Sequence, residues 1–205
     1  MNAADLNERL AACSAEQFLI LVLLALAGEP MGRQRVLEHM TAMGVKLPTG
    51  QWAAELAHLR ELGLVADVTG RGFVIAPEAS WPVLDRALDD GAFNFAVAAY
   101  AQVTPIRSDW QGNLMLRSYR QGLALLRIAL LNGEGSETVS GILDACLRCH
   151  EANYLHPLVE VCARPVFHPE IIGRLHRGVR DNVLAVLVMH CQREPLAAPA
   201  IRAAA

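Results

Sequence analysis

The stretch Phe18 to Ala27, FLILVLLALA, carries no polar side chain, and an α-helix that is apolar on every side must be enclosed by its own protein or by lipid. Its ten residues are about half of the ~20 needed to span a bilayer. A signal peptide would set Lys or Arg ahead of such a run and a cleavage site behind it, whereas Asp5, Glu8 and Arg9 precede it and Gly28-Glu29-Pro30 follow. The run is therefore expected to be a buried helix, capped at Ser14, acidic at Glu16 in its first turn and stopped by Gly28 and Pro30.

A chain of 205 residues with 53% hydrophobic and 19% charged side chains has enough apolar material for one large or two small cores without staples. Cys13, Cys146, Cys149, Cys162 and Cys191 are odd in number and mostly fall in apolar helical patterns, as reduced core thiols of a cytoplasmic protein do. The net charge of -3 divides at Ser80 into six basic against nine acidic residues before it and twelve against twelve after it. Neither half is basic, which argues against strong non-specific nucleic-acid binding, since that requires many phosphates to be neutralised.

After the first helix, Val36, Leu37, Met40 and Met43 recur at three-and-four spacing from Gly32 to Gly44, predicting a second helix. A third is predicted after Pro48-Thr49-Gly50, with Thr49 as its cap, Trp52, Leu56, Leu59 and Leu62 on its inner side and Gly63 at its end. From Leu64 the period changes. Leu64 to Val68 and Phe73 to Ile75 are β-prone runs joined by Thr69-Gly70-Arg71-Gly72 and closed by Pro77, which predicts a hairpin.

Three short helices followed at once by a hairpin, with LRELGLV leading into the first strand and GRGF at the tip, resemble the winged helix-turn-helix domains of bacterial regulators over residues 14 to 78. In such a domain the exposed face of the third helix, here Thr49, Gln51, Glu55 and His58, reads DNA, while the helix N-terminus and the wing hold phosphates. The resemblance makes Arg33, Arg35, Lys46, Thr49, Gln51, His58 and Arg71 the candidate nucleic-acid contacts, with Gln51 suited to adenine and Arg71 to a minor groove. Glu55 and Glu61 on the same helix would repel phosphate. An ordinary solvated helix face, on a winged helix that binds protein rather than DNA, is the alternative.

Beyond Trp81 the chain is mainly α, with helices expected near 81 to 90, 92 to 103, 114 to 131, 137 to 151, 155 to 163, 169 to 177 and 180 to 193. The expected organisation is a winged-helix domain over 1 to 80, a tetratricopeptide-like or irregular helical bundle over 81 to 194, and a flexible tail or linker stub over 195 to 205, PLAAPAIRAAA. A linker stub would make the chain the leading part of a longer protein. LNERLAACSAEQ, the winged-helix pattern and SYRQGLALLRIALL are also similar to the N-terminal region of large bacterial SNF2-type helicases. That likeness implies an accessory region without ATPase chemistry.

Arg117, Arg120 and Arg127 fall within about 80° on a helical wheel and form a basic stripe. A second cluster, Arg174, His176, Arg177 and Arg180, lies near the start of the last helix, where phosphate or a partner is a candidate occupant. The favoured reading of both is arginines on a wet amphipathic face, paired with neighbouring carboxylates. Cys146-Leu147-Arg148-Cys149-His150 spells the C-x-x-C-H of covalent haem attachment. Its place in an apolar helical pattern points instead to buried thiols, as it does against a zinc site using Cys162. His156-Pro157 and His168-Pro169 read as helix starts rather than catalytic bases.

The chain contains no G-x-S-x-G, H-E-x-x-H, P-loop or strand-borne G-x-G-x-x-G. The sequence thus leads to a DNA-binding or recruitment module with no cofactor and no catalytic or metal site. The alternative is a protein-interaction scaffold, whose partner would be another protein, a second copy or further domains of the same polypeptide.

Overall fold

The computed structural model describes residues 3–149, 155–164 and 167–194, apart from the side chains of Ala3 and Thr49; the tail expected over 195–205 lies outside them. The described residues form eleven helices and two small antiparallel hairpins. They divide into two compact units, Met1–Pro105 and Ile106–Ala205.

The first unit is arranged around the apolar helix. Helix α1 (Ala3–Ala11) precedes it. In α2 (Ala15–Ala27) the Ser14 hydroxyl accepts from the Gln17 amide nitrogen and the Gln17 side chain accepts from the Ser14 backbone, a capping box. At the other end Gly28 takes the left-handed conformation that stops the helix. Ile20 to Leu26 are fully buried, because α2 is surrounded by α3 (Arg33–Ala42), α4 (Thr49–Glu61), α5 (Pro77–Asp90), α6 (Ala92–Val103) and one strand of the first hairpin.

That hairpin, β1 (Val65–Val68) with β2 (Gly72–Ile75), pairs Val65 with Ile75 and Asp67 with Phe73, in the place the change of period predicted. One further residue joins it: the Met31 amide donates to the Phe73 carbonyl at 2.8 Å, and the Phe73 amide donates back at 2.9 Å. Gly72 is required here. Its φ is +106°, and a Cβ on it would lie 2.2 Å from the Met31 carbonyl oxygen. Phe73 packs edge-on against buried Trp52 of α4, and the Arg60 guanidinium lies over the Phe73 ring and pairs with Asp67.

Three sequence expectations differ here. Helix α1 was not anticipated; it is fastened by Arg9, which holds the Asp5 carboxylate and donates to the Leu62 carbonyl at the end of α4. Helix α4 begins a residue early, with Pro48 rather than Thr49 as its N-cap. Helix α5 begins at Pro77 instead of 81, since proline suits a first helical position, and Pro82 is carried in its second turn.

His39 is buried in α3 against Tyr100 of α6, with ring centroids 5.6 Å apart. Its Nδ1 donates to the Arg35 carbonyl at 2.6 Å, while Nε2 has no hydrogen-bond partner. Burial pushes its pKa below the ordinary 6.5 despite that bond and nearby Glu38.

In the second unit a short hairpin, β3 (Arg107–Ser108) with β4 (Leu114–Met115), leads into α7 (Tyr119–Leu131), α8 (Ser136–Leu147), α9 (Pro157–Cys162), α10 (Glu170–Arg174) and α11 (Arg177–Arg193). Helix α7 packs on α8 and α9, and α11 on the same two. The close approach of α7 to α8 depends on Gly122, where a Cβ would lie 2.4 Å from the Cys146 sulfur. The helix expected from 114 is corrected: residues 114 and 115 are strand, and α7 starts only after Ser118, whose hydroxyl accepts from the Gln121 amide. His156 caps α9 through Nδ1 and Pro157 is its first residue, as the His-Pro pattern predicts.

Two outcomes follow from this packing. Gly72→Ala should cost about 2–4 kcal/mol in urea unfolding, since it combines a left-handed φ with a backbone clash. Because His39 is held neutral, its contribution is present above the unfolded-state value near 6.5 and is lost as pH falls from there through the lowered folded value. Urea midpoints measured from about pH 7 to about pH 5 should fall, and His39→Gln should flatten that decline.

Candidate nucleic-acid interface

Helix α4 is oriented by its apolar side. Trp52, Leu56 and Leu59 are buried, which fixes which flanks remain. One flank turns to the start of α2, where the Gln17 side-chain amide donates to Glu55 Oε2 at 2.6 Å and meets His58 Nδ1 at 2.9 Å. With its oxygen accepting from the Ser14 amide, buried Gln17 has a partner for each of its polar atoms. Glu55 and His58 are half-buried in this contact, so only part of each is left to an outward face.

Of the expected readers Gln51 is exposed, with its amide resting on Glu55 Oε1 at 3.2 Å. The Thr49 side chain lies outside the described residues. The outward surface of α4 consists mainly of Ala53, Ala54, Ala57 and Glu61, with Arg60 held toward the hairpin by Asp67.

The basic candidates separate in the same way. Arg35 is half-buried and paired with Glu29 at 3.1 Å. Arg33, the first residue of α3, is exposed, as are Lys46 in the turn before α4 and Arg71 in the hairpin turn. Because Gly72 lies directly against Met31 and Gly32, Arg71 and Arg33 emerge from neighbouring backbone at one edge of the unit.

In the second unit the basic stripe does not form as one face. Arg117 is exposed but precedes α7, its amide donating to Gln121 Oε1 at 2.7 Å, and only Arg120 and Arg127, both half-buried and partnered, are on the helix. At the second cluster Arg180 is structural, donating to the Gly173 and Leu175 carbonyls at 3.1 and 3.2 Å. His176 caps α11 through Nδ1, Arg174 ends α10 with a partner of its own, and Arg177 is exposed.

Cys146 and Cys162 are buried, and burial pushes each thiol up to about 12, reinforced at Cys146 by Cys149 and Glu160 and opposed at Cys162 by Arg127. Both are protonated at neutral pH and are poor nucleophiles. His150 lies outside the described residues; among those described, no cluster of three or more metal-ligating side chains forms. None of the described helices is long and apolar enough to cross a membrane.

The sequence reading missed Trp110, which is 90% exposed on the second hairpin. Its signal was the Asp109…Gly112-Asn113 turn pattern, obscured by the helix expected from 114. No family model, curated protein or solved structure matches the chain.

The Gln17 contact can be tested directly. Gln17→Met keeps the shape of the side chain but strips Glu55 and His58 of their partner, and should cost about 1–3 kcal/mol in urea unfolding.

Proposed function

We propose that the unit Met1–Pro105 contains a winged helix, over residues 14 to 78, that recruits the protein to duplex nucleic acid, chiefly through phosphates. The observation that carries this reading is the reciprocal pair of hydrogen bonds between Met31 and Phe73. They add a third, one-residue strand between α2 and α3, so the order becomes helix, strand, helix, helix, strand, turn, strand. Exposed Arg33 and Arg71 at the resulting edge, with Lys46 before α4, supply the charge. Helix α4 contributes Gln51 and little else that can read a base, since Glu55 and His58 are engaged with Gln17. Sequence preference should therefore be weak.

A second reading, docking on protein, is favoured by the exposed Ala53, Ala54 and Ala57, whose short side chains let another backbone approach closely. Either mode suits an accessory region of a larger helicase or regulator.

Fluorescence anisotropy with a labelled duplex separates the two. Three phosphate contacts give a log–log salt slope of about −2.7, or roughly 40-fold weaker binding between about 50 and about 200 mM salt. Arg71→Ala should flatten that slope by about one. Equal duplex affinity for wild type and Arg71→Ala overturns the nucleic-acid reading. Salt-independent self-association, or binding to a partner domain lost on Ala54→Glu, supports the second.

A further inference from the structure

The second hairpin presents a single aromatic ring on a support that does not depend on it. Asp109 Oδ1 accepts from the Gln111 and Asn113 backbone amides at 2.8 and 2.9 Å, and Oδ2 accepts from the Asn113 side chain at 3.0 Å. The Asp109 amide donates to the Asn113 carbonyl at 2.9 Å and the Gly112 amide to the Asp109 carbonyl at 3.1 Å. Trp110 lies inside this closed turn, yet its side chain is almost wholly in water. The hairpin is anchored below by Leu116, which meets the α7 backbone at Gly122, and by Arg148, which donates to the Leu114 carbonyl at 3.4 Å.

Positive charge outnumbers negative around the hairpin. Arg107, Arg117 and Arg148 are exposed, against the single carboxylate of Asp109, which keeps its charge while both its oxygens accept hydrogen bonds within the turn. The other residues of the tip, Gln111, Gly112 and Asn113, are polar or small, which makes insertion into lipid hydrocarbon costly. A ring this exposed, on a hairpin that carries Arg107 in its first strand and Arg148 against its second, is suited to a flat partner carrying negative charge. Stacking on an aromatic side chain together with a basic track is how single strands are held without regard to sequence.

We propose that the Arg107–Met115 hairpin is a stacking site for an unpaired nucleobase of single-stranded nucleic acid, with Trp110 as the platform and Arg107, Arg117 and Arg148 facing the phosphates. It is independent of the duplex reading, because every residue it uses belongs to the second unit.

The test uses the whole chain and a ten-base single-stranded oligothymidylate at low salt. Trp52 and Trp81 are buried, so quenching on stacking should come from Trp110. Trp110→Ala should weaken binding at least roughly fivefold, the lower end of a stacking contribution. Trp110→Phe should restore most of it, and Arg107→Ala should lessen the salt dependence. Trp110→Ala removes an exposed side chain, so its circular dichroism and urea midpoint should match wild type. The salt slope of duplex binding should be the same for Trp110→Ala and wild type, which distinguishes failure here from failure of the duplex site. Equal oligothymidylate affinity for wild type and Trp110→Ala overturns the proposal. So does a Trp110-dependent interaction seen only with polyglutamate or only with anionic vesicles, which would assign the hairpin to an acidic protein or to a membrane surface.

Discussion

A helix without a polar face cannot sit at a surface, and the first unit is a consequence of that constraint. Because Ile20 to Leu26 exclude water on every side, α2 needs neighbours all around it, and α3, α4, the hairpin, α5 and α6 supply them. Burying a side chain of this size contributes roughly 1.5–3 kcal/mol as an upper bound. The central helix is thus the largest concentration of apolar stabilisation in the unit. The ends of α2 then do the directional work that its middle cannot. Ser14 and Gln17 fix where it begins, Gly28 where it stops, and Met31, three residues later, is delivered to the edge of the hairpin.

What was legible in the sequence is what local chemistry determines. The switch from three-and-four spacing to β-prone runs at Leu64 located the hairpin because turn glycines and β-branched residues act over a few positions. Gly28, Gly44 and Gly63 all take the positive φ their places as helix stops required. Legibility failed where a long-range contact decides. Nothing near Arg9 reveals that it will hold the Leu62 carbonyl, and Leu64 to Ile75 give no hint that Met31 will pair with Phe73. The grouping of residues failed to emerge for a similar reason: α5 and α6, placed by pattern with the helices beyond 81, pack on α2.

The same limit explains the candidate interface. A helical wheel distinguishes an apolar side of α4 from a polar one, but it does not say which polar residues face water and which face another polar residue. Gln17 lies inside an apolar helix and would be costly there unpartnered. Glu55 and His58 satisfy it, and in doing so their polar atoms turn partly toward α2. A residue in α2 thereby sets what α4 can offer, leaving Ala53, Ala54 and Ala57 with Gln51 and Glu61 on the outward surface.

The arginines extend that point to the whole chain. Three of them serve helix ends: Arg9 donates to the Leu62 carbonyl beyond α4, Arg86 to the Leu10 carbonyl near the end of α1 while lying over Phe18, and Arg180 to the Gly173 and Leu175 carbonyls at α10. Such carbonyls have no partner within their own helix, and a guanidinium with five donors satisfies them while keeping its charge near the negative end of the helix dipole. Arg35 and Arg60 are engaged with Glu29 and Asp67. A count of basic residues therefore overstates the charge available to a ligand. The exposed groups that carry the two proposals, Arg33, Lys46 and Arg71 in one unit and Arg107, Arg117 and Arg148 in the other, form two small sets. Two modest contacts of different kinds, one gripping phosphates and one stacking a base, fit that distribution better than a single strongly basic surface would.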